Sequence, residues 1–436
     1  MLIFLLKTIL PRNMKVIFKW LLLIGTVCYF IYLVDLIQRQ PSAFFIFDQH
    51  QSQQQQKYGQ NDITQTVVTI DRELFDYLVV HLHDTEYDGV DNYIRFMTVF
   101  KGLKPLPGIE SLVPGMGPVV NDMSQFQHYP INLVPCPSSS SNSSNQSRSL
   151  FIGVISGPGN FERRATIRRT WHVHLNKNQQ NKKSNKNALL DLLRFAFVIG
   201  QTNDSVVQQQ VKDESEKYGD ILQINMMDKY VDLSVKLTGL FHWLDTFCSR
   251  VDYVLKVDDD VYVNVHNLAT VLHSLNVSEP SVYGRQCGGN IPDRSASKWK
   301  TGFEHWPWQR FPIYFQGAGV IIAGSAVRPI LSAMQVTPYF IWEDMYLIGL
   351  CAVKAKIQLR TSDRIFVDMP DNPVDPCFIG DNVMWTTDSA DVMNASHFAS
   401  HNQFYDNKLQ PSANVQQCNS STQPAVEFPF GYAQQN

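Results

Sequence analysis

Three consecutive carboxylates, Asp258-Asp259-Asp260, end an apolar stretch in which Val254, Leu255 and Val257 read as a buried strand. A second apolar stretch, Val261 to Val265, follows at once. Acids at the carboxyl end of a central α/β strand lie where such sheets place their ligands, in the crevice outside the strand ends. Like charges this close raise one another's pKa unless a cation neutralises them. Hard oxygen donors suit Mg²⁺, Ca²⁺ or Mn²⁺ better than Zn²⁺. Asp258 and Asp260 form a D-x-D pair, which in isolation is no more than an acidic turn. A second pair of acids, Glu343-Asp344, stands in the first turn of an expected helix that opens at Trp342. Acids there often only complement the helix dipole. His397 and His401 follow in a polar stretch, and an incomplete carboxylate site would accept a nitrogen ligand.

The elements that must position these groups alternate between strand and helix. Leu150 to Ser156 is a buried-strand pattern, followed by Gly157-Pro158-Gly159 and a basic helix, Arg163 to Trp171. Leu192 to Ile199 and Asp220 to Ile224 are further strands, and Asp204 to Tyr218 is a polar helix. Leu237, Phe241 and Leu244 lie at helical spacing in the segment that leads into the acid-tipped strand. This order predicts a mostly parallel sheet covered on both faces. Later, Gly317 and Gly319 interrupt an aromatic-to-apolar stretch where backbone can approach a ligand closely.

The whole chain has 436 residues and a net charge of −3, so no global basic field points to nucleic acid. Residues 16–34 are apolar except for Lys19 and close to the length that spans a bilayer. Lys7, Arg12, Lys15 and Lys19 lie at or before its start, which puts the N-terminus in the cytoplasm and the rest in a lumen. No small-residue cleavage site ends the segment, so an uncleaved anchor is expected. Asn-x-Ser/Thr acceptors at Asn142, Asn145, Asn203, Asn276, Asn394 and Asn419 all lie beyond it, as do six of the seven cysteines. The organisation expected is a cytoplasmic tail (1–15), an anchor (16–34), a stem (35–149), a body (150–410) and a C-terminal tail (411–436).

Several stretches occur in one order: RRATIRRTW, DILQINMMDKYVDLSVKL, WLDTFC, VLKVDDDVYVN, YFQGAGVIIAG and WEDMYLIG. Over residues 150–405 the chain therefore resembles the inverting β-1,3-glycosyltransferases, the galactosyl- and N-acetylglucosaminyltransferases of the Golgi. The resemblance implies a single Rossmann-like nucleotide-sugar domain of the GT-A type, with a UDP-sugar donor and Mn²⁺. It assigns Asp260 as direct metal ligand, with His397, or His401 in its place, completing the metal shell. Arg163, Arg168, Lys236, Asp258 and Asp259 fall on the nucleotide side, and Asp344 matches the catalytic base. Met345 and the turn Gln316-Gly317-Ala318-Gly319 depart from the family's usual residues, and the tail beyond Tyr405 has no counterpart.

The implied protein is a single-pass type II Golgi membrane hexosyltransferase. It would move galactose or an N-acetylhexosamine onto a hydroxyl of a glycoprotein, glycolipid or proteoglycan glycan, in β-1,3 linkage. Two other readings stand beside it. A catalytically inactive relative would serve as a lumenal chaperone or lectin, but such relatives lose the acid triplet or the base, and both are present. A glycoside hydrolase would need a second carboxyl opposite the base and no nucleotide site.

Overall fold

In the computed structural model, strand β1 (Arg148–Ile155) alternates its side chains between two cores. Phe151 and Ile155 enter one, while Leu150, Ile152 and Val154 enter the other. Strand β4 (Tyr253–Asp258) does the same, with Val254 on the first side and Tyr253, Leu255 and Val257 on the second. Period-two alternation with apolar residues on both faces means a sheet covered on both sides. The structure describes residues 81–82, 85–137, 147–175, 190–288, 291–405 and 431–432, and all of them belong to one compact unit spanning 68–436. The expected anchor at 16–34, the Lys-rich insertion at 176–187 and all of the C-terminal tail except 431–432 lie outside the described residues. Among the described residues no helix is long and apolar enough to cross a membrane.

The main sheet has eight strands in the order β11-β8-β6-β7-β4-β1-β2-β3. These include β2 (Leu190–Gln201), β3 (Ile221–Met227), β6 (Ser281–Gly284), β7 (Gly319–Ala323), β8 (Gln358–Thr361) and β11 (Gly431–Tyr432). The half formed by β3, β2, β1 and β4 is parallel, as expected. The other half is mixed, because β7 runs antiparallel to both β4 and β6. A buried apolar strand reads the same in either direction, so its sense is not encoded in its pattern. A second small sheet joins β5 (Val261–Val263), β10 (Met384–Thr386) and β9 (Phe366–Val367).

Helices fill both layers. On one side lie α4 (Leu233–Phe247) and α6 (Gly324–Val336), with α7 (Met345–Ala352), whose turns are π-helical. On the other lie α2 (Phe161–Arg169) and α5 (Val265–Ser274), with α8 (Pro376–Asp381) and α9 (Ala390–Phe404). The polar helix α3 (Ser205–Tyr218) is capped by Asp204, whose carboxylate accepts from the amides of Val206 and Val207.

Residues 90–133, grouped above with the stem, are part of the packed body. Tyr93 and Met97 of helix α1 (Val90–Phe100), together with Phe126, Tyr129 and Leu133, join the core on the α4 and α6 side. Val90, Tyr93 and Met97 stand at helical spacing, whereas the run 103–118, interrupted by Gly and Pro, reads as extended loop. A disulfide between Cys136 and Cys248 ties the end of this segment to the end of α4. Cys377 is also disulfide-bonded, and among the described residues Cys287 and Cys351 are free.

Candidate active site

Strands β1 and β4 are parallel neighbours, with Ile155 opposite Asp258, so the segments that leave their carboxyl ends lie side by side. The Asp259 amide donates to the Ile155 carbonyl at 3.1 Å, and the Asp258 amide donates to Ala318 at 2.9 Å. The acid turn is thereby clamped between the loop after β1 and the entry to β7. This is the strand-end crevice where α/β sheets take ligands.

Each acid of the triplet has a different environment. Asp259 is buried and accepts from Ser156 Oγ at 2.7 Å, Asn160 Nδ2 at 2.8 Å and Arg163 Nη1 at 2.8 Å. It is the anchor of the 156–163 loop-helix. Asp260 is reached by the same Arg163 nitrogen at 3.2 Å, and its main-chain carbonyl accepts from the amide and hydroxyl of Thr387. Asp258 instead faces Lys256, whose ammonium donates to it at 2.8 Å, consistent with the shared face of positions i and i+2. The side chains of Asp258 and Asp260 remain 34% and 36% exposed, and that of Arg163 50%, so a ligand can reach all three.

Lys256 was not among the residues picked out by sequence, although a Lys inside an apolar strand carries a signal. A fully buried ammonium must be paired. It donates to Asp258, to the Gly317 carbonyl at 2.6 Å and to Glu343 Oε1 at 3.0 Å. Burial by itself would lower its pKa, but the two carboxylates outweigh this and push it up. Through Lys256 the acid turn is joined to the Glu343-Asp344 pair. Gly317 makes the approach possible, since a Cβ there would sit 2.6 Å from the Asp344 Cβ and 2.9 Å from Glu343 Oε1.

Asp344 accepts from the Met345 amide at 2.7 Å at the start of α7. Burial, and then the neighbouring Glu343 charge, push its carboxyl up to about 7; Asp258 adds to this, while the Met345 amide and Lys256 oppose it. Asp258 is pushed up to about 6, by burial and by Glu343 and Asp260, against the pull of Lys256. Asp260 is raised as well, by burial and by Asp259, against Arg163. A carboxyl that titrates near neutrality is suited to general-base work.

Lys236, one of the residues expected on the nucleotide side, is buried and donates to the Ser156 carbonyl at 3.0 Å and to Asp228 at 2.8 Å. It therefore backs the residue whose hydroxyl holds Asp259. Arg168 lies elsewhere. Its guanidinium is engaged by Asp220 at 2.7 Å and Glu214 at 2.6 Å and stacks over Tyr218. Arg164, beside it, is fully buried and donates to Glu214 and to the Gly157 and Pro158 carbonyls. Arg164 thus holds the 157–160 loop from behind, and Arg168 shares its Glu214 partner.

His397 and His401 lie on α9, where both pack against His174; His174 Nε2 is 3.2 Å from His401 Nδ1. These contacts join them to a histidine cluster. Among the described residues no group of three or more His, Cys, Asp or Glu has metal-holding geometry.

Comparison with known proteins bears on the same part of the chain. Residues 162–363 match the Galactosyltransferase family, a span that holds the acid triplet, Lys236, Lys256 and Asp344. Human lactosylceramide 1,3-N-acetyl-β-D-glucosaminyltransferase is 29% identical over 235 residues, 52% of this chain and 60% of the relative. Human β-1,3-galactosyltransferase 5 is 28% identical over 213 residues, 48% of this chain and 64% of the relative. The likeness is to members of the β-1,3-glycosyltransferase family. A third member, rat UDP-GalNAc:β-1,3-N-acetylgalactosaminyltransferase 1, is 32% identical over 230 residues, covering 50% of this chain and 64% of the relative. The chain thus spans 60–64% of the length of these three family members. Among solved structures, a glycosyltransferase involved in glycosylation of the major capsid of PBCV-1 aligns with a TM-score of 0.31 at 9% identity, over 58% of this chain and 98% of its own.

Proposed function

We propose that this chain transfers a hexose or N-acetylhexosamine, galactose first among them, from a UDP-sugar to an acceptor glycan hydroxyl in β-1,3 linkage with inversion. The acceptor is a sugar of a glycoprotein, glycolipid or proteoglycan. The observation that supports this most is the joining of two acid sites by one buried cation: Lys256 bridges the half-exposed Asp258 to Glu343, next to Asp344. Asp344 takes the proton of the acceptor hydroxyl as that oxygen bonds to the anomeric carbon and the bond from that carbon to the diphosphate oxygen breaks. The attack comes from the face opposite the departing UDP, which inverts the anomeric centre. Arg163 and Lys236, with the loop they hold, form the donor side.

The donor set fits a hard divalent cation. The site holds two cations, Arg163 and Lys256, against five carboxylates, and the raised Asp258 and Asp260 are the ones left half-exposed. Asp260 and Asp258 would hold Mn²⁺, which when bound supplies Lewis-acid stabilisation of charge on the leaving diphosphate. His397 belongs to this ligand set by resemblance alone. We place the protein in the Golgi membrane as a single-pass type II protein, anchored by residues 16–34, with the site in the lumen. Glycan acceptors Asn203 and Asn276, both exposed, agree with a lumenal body.

The test is UDP release and product formation by the purified full-length chain in detergent. UDP-galactose, UDP-N-acetylglucosamine and UDP-N-acetylgalactosamine are each supplied with Mn²⁺ and a panel of oligosaccharide acceptors. Acceptor-dependent turnover with one donor, yielding a β-1,3 product, is the expected result. Donor binding without turnover on any acceptor would instead make this chain an inactive lumenal relative.

A further inference from the structure

Next to the Glu343-Asp344 pair the surface carries aromatic rings that the protein's own core does not use. Trp299 is 59% exposed and Tyr230 48% exposed, which are large apolar rings to leave in water. The Tyr230 ring lies 6.1 Å from that of Trp342, the residue immediately before Glu343. Lys298 links the rings, with its ammonium 4.7 Å from the Tyr230 centroid and 5.5 Å from that of Trp299. Both Tyr230 and Trp342 also border the reaction site through the chain. Tyr230 follows Asp228, the partner of Lys236, and Trp342 leads into the acid pair.

The loop that presents Trp299 is braced. Asp293 accepts from the amide and hydroxyl of Ser295 and from the Ser297 hydroxyl, and Ser297 Oγ in turn accepts from the Trp299 amide at 3.1 Å. Thr301 is fully buried, accepts from Trp342 Nε1 at 2.7 Å and is held by Asp293 through its amide. Arg294 pins the same turn by donating to the Thr301 carbonyl at 2.8 Å. A ring held in place by its backbone supports binds with a small ordering cost.

The geometry points to Tyr230, Trp299 and Trp342 as an acceptor platform on which a pyranose of the acceptor glycan stacks, one sugar away from the residue that presents its hydroxyl to Asp344. A pyranose has an apolar face of C–H groups and a rim of hydroxyls. Stacked on an indole or phenol it buries the face and leaves the rim wet, as ligand sites with apolar walls and a few polar groups do. Trp342 stands two residues before the base and Tyr230 lies beside that tryptophan, and this continuity with the site favours the acceptor glycan over a protein partner. The assignment rests on reading Asp344 as the acceptor-side base.

The test uses methyl β-lactoside and methyl β-N-acetyllactosaminide with the full-length protein, followed by ligand-observed saturation-transfer NMR and by acceptor kinetics. Trp299 is exposed, so Trp299→Ala leaves the fold intact. It is expected to weaken disaccharide binding and raise acceptor KM by about five- to tenfold, with donor KM unchanged. Trp299→Phe restores most of the loss and Trp299→Leu does not, because a flat ring face is required. Unchanged binding in Trp299→Ala, or Leu serving as well as Phe, overturns the platform. So does a wild-type protein that binds neither disaccharide. Ring-dependent binding in a protein that turns over no UDP-sugar would keep the platform and reject the transferase reading.

Discussion

Arg163 and Arg164 are adjacent on helix α2, yet they serve clusters of opposite charge balance. Arg164, with Arg168, meets Glu214 and Asp220, two cations against two carboxylates, with every guanidinium nearly or fully buried. Arg163 faces the acid turn, where it and Lys256 meet five carboxylates, three of which are raised in pKa. In the first cluster Glu214 is lowered despite its burial, because Arg164 and Arg168 hold its charge. The balanced cluster builds the scaffold, and the unbalanced one holds repulsion that a bound cation or a proton would relieve. The perturbed carboxylates gather at the candidate site, while the carboxylates behind it are matched by arginines.

The contrast breaks if the two clusters answer mutation alike. The largest effect is expected from Asp344→Asn, with kcat falling by about 10²- to 10⁴-fold and donor KM nearly constant. Turnover at saturating donor with varied acceptor measures it, and near-normal kcat would move the base to another residue. Next comes the balanced cluster. Arg164→Met leaves Glu214 short of a buried partner and should cost about 3–5 kcal/mol in urea unfolding, whereas half-exposed Arg163→Met should cost below ~1 kcal/mol and act on activity instead. Equal losses of stability would erase the distinction.

A subtler probe is pH. Glu343→Gln removes a charge that raises Asp344, so the acid limb of kcat/KM for the acceptor should move to lower pH; a limb that stays in place removes Glu343 from the coupling. The clusters should also have opposite signs in stability. Asp344 and Asp258 are raised when folded, so their contribution is present at low pH and is lost as pH climbs from about 4 to about 7. Glu214 is lowered, so its contribution is present above its unfolded value of 4.5 and is lost as pH falls through its folded value. Thermal melts of Asp344→Asn and Glu214→Gln against pH separate the two.

The smallest effect expected is a gain. Asp260→Asn relieves repulsion, and without metal should raise Tm by about 1–2 °C, the shift that a few tenths of a kcal/mol gives a domain this large. The same variant should lose the Mn²⁺- and UDP-dependent rise in Tm that linkage predicts for wild type. A variant that keeps that rise in full takes Asp260 out of the ligand set.

Much of this was legible beforehand. The acid-tipped strand, the helix over 233–247 and the alternation around β1, β2 and β3 follow from period and turn residues, and the structure has them. Lys256 was legible as well, since a cation in a buried strand two residues before an acid has little else to do. Three features were not. The reversed sense of β7 leaves no mark in an apolar pattern. The division of labour between Arg163, Arg164 and Arg168 depends on which way a short helix turns about its axis, and that was decided by Glu214 and Asp220, about fifty residues away. The packing of residues 90–133 joins one short amphipathic helix to the isolated aromatics Phe126 and Tyr129, and nothing in their spacing says which core they enter.

The Cys136–Cys248 bond carries a consequence for release from the proposed membrane anchor. Cleavage of any peptide bond between those two residues yields fragments still joined through sulfur. With the anchor proposed at residues 16–34 in place, a protease that cut at 138–146 would not shed the site. The two pieces would part on a gel only after reduction. Secretion of a soluble form requires a cut on the N-terminal side of Cys136, and the packing of residues 90–133 into the core pushes the productive position back further, to before helix α1.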